Sequence, residues 1–322
     1  MLLKESKIMS KVKICVFSDY HYCPALYPQD QSGLDTIIER AHTADADVIL
    51  ECGDFAAGAT KNDGFLQKFL NNKYGIKTAF CYGNHELEQV DSLELLNKAY
   101  GVDNSYFYKD MFGFRFITVD TNFWYDDDGT LYHYPGRGVG SPKGWDYDDN
   151  AFGKEQLEWI AKTIDESPYP CILLGHTPVD LSDKPDHKEF LKIIKAANEK
   201  NRGRVLIYFS GDKHRNHIAV VDDVLHFNIN ATYNGEWRPT KHNLFPKEFT
   251  EGHSMAANCS IFKDPLSAIV TVEDDGHIKI EGMETDYMYG VTPEMYGGPF
   301  QCDGYGICEP RISSGEYYLL KK

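Results

Sequence analysis

Across the first two thirds of this chain, short apolar runs alternate with amphipathic helical stretches. Run after run stops at a bend occupied by Asp, Asn or His. Val12 to Ser18 reads as a buried strand, and Leu34 to Ala41 as a helix with Ile37, Ile38 and Ala41 on one face. Asp47 to Glu51 reads as a second strand, Phe65 to Leu70 as part of a second helix, Lys77 to Tyr82 as a third strand and Leu93 to Ala99 as a further helix. Strands separated by helices need crossover connections, so an α/β chain with a parallel sheet is expected here. A hairpin-like pair follows, Tyr106 to Tyr108 and Phe114 to Val119, turning at Gly113. Next come a helix at Lys154 to Asp165, a strand at Cys171 to Leu174, a helix at Lys188 to Glu199 and a strand at Val205 to Phe209.

Beyond that point strands dominate: His217 to Val221, Val224 to Asn228, Ala268 to Glu273 and His277 to Glu281, the last two joined by an Asp-Asp-Gly hairpin signal. There is no clear linker and no internal repeat, which makes residues 10–285 one domain and 286–322 an aromatic, glycine-rich tail. Residues 122–150 and 232–253 form long loops; the second holds Arg238, Lys241, His242 and His253.

Composition narrows the function. With 322 residues, 42% hydrophobic, the chain can bury a sizeable core. Its net charge of −16 argues against nucleic acid as a partner, since such footprints are basic. An anionic substrate therefore needs positive charge from elsewhere, and metal ions can supply it. No run is long enough to span a membrane, and the first residues lack a signal-peptide core. Eight cysteines occur without a CxxC pair; Cys15, Cys52, Cys81 and Cys171 sit in apolar strand patterns as reduced thiols, and Cys302 and Cys308 read as two thiols of the tail. A cytoplasmic location is the expectation.

The chemistry sits at the strand ends. The first run ends in Ser18-Asp19-Tyr20-His21, the second in Gly53-Asp54, the third in Gly83-Asn84-His85-Glu86, and later ones in Gly175-His176 and Gly211-Asp212-Lys213-His214. In an open parallel sheet these ends share one edge, where ligands bind. A single Asp or His there is an ordinary turn residue. Five ends in series deliver a metal-ligand set too large for one tetrahedral ion and suited to two ions sharing a carboxylate.

The ordered set D-x-H, G-D, G-N-H-E, G-H and G-x-x-H resembles the calcineurin-like metallophosphoesterase superfamily, from about Lys13 to about Glu281. The resemblance implies two mixed β-sheets packed face to face with helices outside, and a catalytic domain over residues 10–285. It implies one ion held by Asp19, His21, Asp54 and His214, and a second held by Asp54, Asn84, His176 and Asp212. His85 would stay unligated as the catalytic imidazole, while a metal-bridging hydroxide attacks phosphorus. The implied cofactors are two divalent or mixed-valence ions, with manganese or iron favoured over zinc or magnesium.

Two departures refine this. The family pattern usually ends in G-H-x-H, whereas here Asp212 stands in the place of an imidazole, a legitimate ligand change. Lys213 is expected to face away from the ions into solvent. After Gly53-Asp54 the chain reads Phe55-Ala56-Ala57-Gly58, and Tyr82 precedes Gly83, unlike protein serine/threonine phosphatases. That, with FGKEQLEWI at 152–160, is more similar to small-molecule phosphoesterases and bacterial cyclic-nucleotide phosphodiesterases. The expected function is metal-dependent hydrolysis of phosphomonoester or phosphodiester bonds in a small phosphorylated substrate; a non-catalytic metal-binding scaffold and a nuclease are the alternatives. His133, His187, His242, His253 and His277 read as solvated. His217 reads as a surface residue near the site, Asp126 to Asp128 as a solvated charge run, and Trp124, Tyr125, Tyr132, Trp145 and Trp237 as loop packing.

Overall fold

The computed structural model describes residues 9–24, 31–56, 63–87, 90, 92–134, 150–237, 244–251, 253, 259–298 and 304–321. Ala57, Gly58, Trp145, Arg238, Lys241, His242 and Cys302 lie outside them.

The period-2 pattern of the strands builds two layers. In Lys11–Phe17, Val12, Ile14 and Val16 join one apolar cluster while Cys15 and Phe17 join another. In Cys171–Leu174, Ile172 and Leu174 enter that same first cluster, while Cys171 and Leu173 face a third. The shared cluster is thus the core between two sheets, and the other two lie under the outer helices. Ser32–Thr43 buries Leu34, Ile37, Ile38 and Ala41 on one sheet, and Lys154–Asp165 and Pro185–Lys200 cover the other. This is the helix-flanked sandwich that the sequence implies.

Each sheet has six strands. The first runs Gly315–Tyr318, His277–Glu281, Ala268–Glu273, Lys11–Phe17, Val48–Glu51, Lys77–Phe80. Its last three strands are parallel, and Lys11–Phe17 meets Ala268–Glu273 antiparallel. The second runs His217–Val221, Val224–Asn228, Val205–Ser210, Cys171–Leu174, Phe114–Thr118, Phe107–Met111, with the middle four parallel. Buried on both faces, such strands read as unbroken apolar runs. The Thr118 hydroxyl donates to the Phe80 carbonyl at 3.0 Å and ties the two sheets together where their parallel strands end.

Three segments are more ordered than their composition suggests. Phe123–Tyr125 pairs with Leu131–His133, Asn234–Trp237 with Cys259–Ile261, and Gly315–Tyr318 forms the edge of the first sheet. Among the described residues no helix is long and apolar enough to cross a membrane.

Candidate metal centre

The strand ends leave the sheets through strained backbone. Asp19 (φ 51°), His21 (φ 52°), Asp54 (φ 58°), Asp212 (φ 68°) and His214 (φ 51°) all adopt the left-handed region, which costs a residue with a Cβ about 1–2 kcal/mol. The bends are held from outside: Asp19 N–H donates to Gly53 O at 3.0 Å, His21 N–H to Asp54 O at 2.8 Å and Tyr22 N–H to Phe55 O at 2.9 Å. Glycine is needed at two of the turns because the side chains close in on it. A Cβ on Gly83 would collide with the Asp54 carboxylate, and one on Gly211 with Ser18 and Asp19. The Glu86 carboxylate accepts from the N–H groups of Asp54, Ala56 and Gly83 at 2.7–2.9 Å, fastening the second and third strand ends together.

Inside this frame the side chains converge. Asp54 Oδ2 lies 3.3 Å from His176 Nε2 and 3.9 Å from both His21 Nε2 and His85 Nε2. Asp19 Oδ1 lies 3.3 Å from His214 Nε2, 3.8 Å from His21 Nε2 and 4.0 Å from His176 Nε2. His21 Nε2 and His214 Nε2 face each other at 3.1 Å, and Asp212 Oδ1 stands 3.8 Å from His176 Nε2. These separations are mostly too long for direct hydrogen bonds. They match a shared cation, because two donors each about 2.1 Å from one ion stand about 3.0–4.2 Å apart.

Hydrogen bonds on the far side of the rings set their tautomers. His176 Nδ1–H donates to Cys52 O at 2.8 Å and His214 Nδ1–H to Gly235 O at 3.0 Å, leaving each Nε2 lone pair aimed into the cluster. His176 Nε2 is buried there without a hydrogen-bond partner. Burial opposes a charge on His176, yet Asp54, Asp19 and Asp212 outweigh it and hold its pKa well above the usual imidazole range. Asp19 likewise raises His214 against the effect of burial. His21 goes the other way, pushed well down by burial and then by His85. Burial resists ionisation of Asp54 too, but His176 and His85 keep it ionised. Burial, then Asp54, raises Glu86 to about 7. Protons on imidazoles thus balance the carboxylates, and a divalent cation can displace them. The donor set of carboxylate oxygens and imidazole nitrogens fits such ions.

Asp19, His21, Asp54, His85, His176, Asp212 and His214 therefore come together, and three triplets of them offer clustered ligand atoms: Asp19–His21–His214, His21–Asp54–His85 and Asp19–Asp54–His176. Asn84 opens the short helix Asn84–Leu87 beside them, and the His85 N–H donates to Asp54 Oδ1 at 2.8 Å. The side chain of His85 is 21% exposed against 4% for His21, so it stands at the mouth.

Some sequence readings need correction. Lys213 is not solvated: its ammonium lies 3.2 Å from Asp212 Oδ2 and the side chain is 17% exposed. His217 pairs with Asp180 Oδ2 at 2.8 Å, His133 with the buried Asp120 at 2.7 Å, and His187 is buried in a helix. For His217 and His133 a distant carboxylate, invisible to local pattern, draws the ring inward; His187 instead lies on the buried face of its helix. Glu86, which closes the G-N-H-E run, carries no ligand pattern in the sequence, yet its carboxylate fastens two strand ends together.

Comparison with known proteins bears on the family and the fold. No curated protein matches the chain. Among solved structures, a dimetal phosphatase from Danio rerio superposes with a TM-score of 0.54 at 13% identity, covering 84% of this chain and 95% of that one. A purple acid phosphatase from yellow lupin (Lupinus luteus) seeds gives 0.49 at 12% identity, covering 95% of this chain and 54% of its own length. At 13% identity the Danio rerio likeness speaks for the fold alone. The family description is more direct: the model for calcineurin-like phosphoesterases matches residues 12–216, a span that begins one residue before Lys13 and ends two residues after His214. With that span covering most of the chain, the protein belongs to the calcineurin-like phosphoesterase family.

Proposed function

We propose that this protein hydrolyses phosphoester bonds of a small phosphorylated molecule at a two-ion centre. The observation that carries the reading is Asp54, whose one oxygen faces imidazoles from three other strand ends at 3.3–3.9 Å. In this reading Asp19, His21, Asp54 and His214 hold one ion, and Asp54, Asn84, His176 and Asp212 the other. When bound, the two ions supply positive charge for the phosphate oxygens and acidify a water for attack. The mixed set of carboxylate, imidazole and amide donors suits borderline ions, with manganese or iron ahead of zinc or magnesium.

The chain's own residues do the rest. Ser18 donates to Asp19 Oδ2 at 2.5 Å and fixes that carboxylate, while Cys52 O and Gly235 O orient His176 and His214. His85, at the mouth where an ester would enter, donates a proton to the departing oxygen. A small substrate goes with the chain's net charge of −16, the opposite of a nucleic-acid footprint. The buried thiols Cys15, Cys52, Cys81 and Cys171 go with a reducing, cytoplasmic setting.

The test is a panel of model phosphomonoesters and phosphodiesters, run after chelation and reconstitution with manganese, iron, zinc and magnesium in turn. Metal-restored turnover of at least one ester class is expected. No turnover with any ion, despite stoichiometric metal uptake, would favour a metal-binding scaffold.

A further inference from the structure

A cavity of about 430 Å³ opens beside the metal centre, lined among others by Asn150, Thr177, Lys184, His187, Lys213 and Tyr305. Its position follows from the chain: Lys213 lies between Asp212 and His214, and Thr177 follows His176. Its size suits a small ligand. Its lining is richer in cations than the molecule as a whole, even with Lys213 paired to Asp212 at 3.2 Å. In a chain of net charge −16 the lining holds two ammonium groups and a single carboxylate, Asp183. That carboxylate is fully exposed and pairs with Lys188 at 2.8 Å, outside the lining.

Three further features point inward. The cavity meets the N-terminus of the helix Pro185–Lys200, whose N-cap, Lys184, gives no side-chain cap to the first-turn amides. Such an end carries partial positive charge and spare N–H donors. The Lys184 ammonium is steered by Asn150 Oδ1 at 2.9 Å. His187 is 1% exposed; neither ring nitrogen makes a hydrogen bond of full geometry, and its one polar approach is to the Asn150 backbone, itself part of the lining. A buried polar group without a partner is costly unless a ligand completes it. Burial, then Lys184 and Lys213, lower His187 to about 3, so it meets a ligand as a neutral ring able to donate one N–H.

We propose that this cavity is a second-anion subsite, and that the substrate of the metal centre carries a further phosphate beyond the scissile one, gripped by Lys184, Lys213, His187 and the helix N-terminus. The proposal rests on the phosphoesterase reading for its chemistry. A phosphate suits the site better than a carboxylate because it carries more negative charge and a third acceptor oxygen for the two ammonium groups and the imidazole N–H.

The experiment compares ligands that differ only in the distal group. Turnover of phenyl phosphate, 4-carboxyphenyl phosphate and 1,4-phenylene bisphosphate is measured on metal-loaded protein, together with calorimetric binding of phenylphosphonate and 1,4-phenylene bisphosphonate. The bisphosphate is expected to exceed phenyl phosphate in kcat/KM about tenfold or more, the worth of one charge-assisted hydrogen bond. The bisphosphonate should bind tighter by a similar factor. Lys184→Met and His187→Asn should each pull both ratios toward one, and Lys184→Arg should restore them. Ratios near one in wild type, with phenyl phosphate still hydrolysed, would overturn the subsite and leave the phosphoesterase reading intact. Equal gains from carboxylate and phosphate would overturn the assignment to phosphate. If no ester is turned over, the enzyme reading fails, and the phosphonate binding ratio alone decides the subsite.

Discussion

The metal centre and the Asp180–His217 pair are both built from Asp and His, yet they are arranged differently. His217 Nε2 meets Asp180 Oδ2 at 2.8 Å, and the Tyr305 hydroxyl approaches the other Asp180 oxygen at 3.4 Å. His217 also burdens the pair with no unusual backbone, whereas Asp19, His21, Asp54, Asp212 and His214 all take left-handed φ. At the centre the Asp–His separations run from 3.3 to 4.0 Å, and His176 Nε2 has no hydrogen-bond partner. One region satisfies itself; the other is spaced for an ion. Backbone strain is tolerated only where something over-determines it, and here that is the convergence of five strand ends.

The largest effect should come from the residue most central to that spacing. Asp54→Asn keeps the shape of the side chain but removes the charge facing His176, His21 and His85. Metal stoichiometry by elemental analysis should fall for both ions and turnover should drop to near background. A variant retaining its metals and most of its rate would mean that Asp54 is an ordinary buried carboxylate, like Asp180. Next is His85→Ala, where metal content should persist while turnover falls by about a hundredfold or more, the usual worth of a positioned proton donor. Because His21, Asp54 and His85 also form a ligand-like triplet, joint loss of metal and rate would instead make His85 a ligand.

The same contrast explains what the sequence could and could not reveal. Asp19, Asp54, His176 and His214 were legible because chemistry at a sheet edge must sit where apolar runs stop, and those stops are visible in the string. The strands Cys171–Leu174 and Ala268–Glu273 were legible because strands buried on both faces leave unbroken apolar runs. Gly315–Tyr318 was not, since an edge strand of Gly, Glu and Tyr carries no apolar run and is recognised only by pairing with His277–Glu281. The pairs His217–Asp180 and His133–Asp120 join residues 37 and 13 positions apart, beyond any local period. His187 did leave a signal: it stands three residues before Phe190 and seven before Ile194, on the helix face that is buried. The cavity it lines gathers residues from 150 to 305, so only the fold assembles it.

Asp212 gives a finer test of the contrast. Its Oδ1 faces His176 as a ligand would, while Oδ2 lies beside Lys213 as in an ordinary ion pair. As a third ligand carboxylate it would make the centre less positive, an effect that Lys213 would partly offset, and would shift the second position toward manganese over zinc. Asp212→His should shift the pH–rate profile toward lower pH and raise the relative activity with zinc, while Asp212→Ala should empty the second position selectively. Unchanged profiles and metal counts would place Asp212 with Lys213 alone.

The smallest effect belongs to the self-satisfied pair. Asp180→Asn should leave metal content unaltered and lower stability by about 2 kcal/mol, the worth of a buried hydrogen bond to a charged group, read as a reduced urea midpoint. The pH dependence identifies the cause. Burial raises the pKa of Asp180, but the hydrogen bond from His217, helped by the charge of His226, more than reverses this and holds it below the ordinary carboxylate value. A carboxylate with a depressed native pKa contributes stability that is fully present above its unfolded value, about 3.9, and is lost as pH falls through the lower native value. The gap between wild type and Asp180→Asn should therefore be constant from neutral pH down to about 5 and close only in stronger acid. If the gap instead tracked added metal, Asp180 would be coupled to the ion site and the separation between the two regions would not hold.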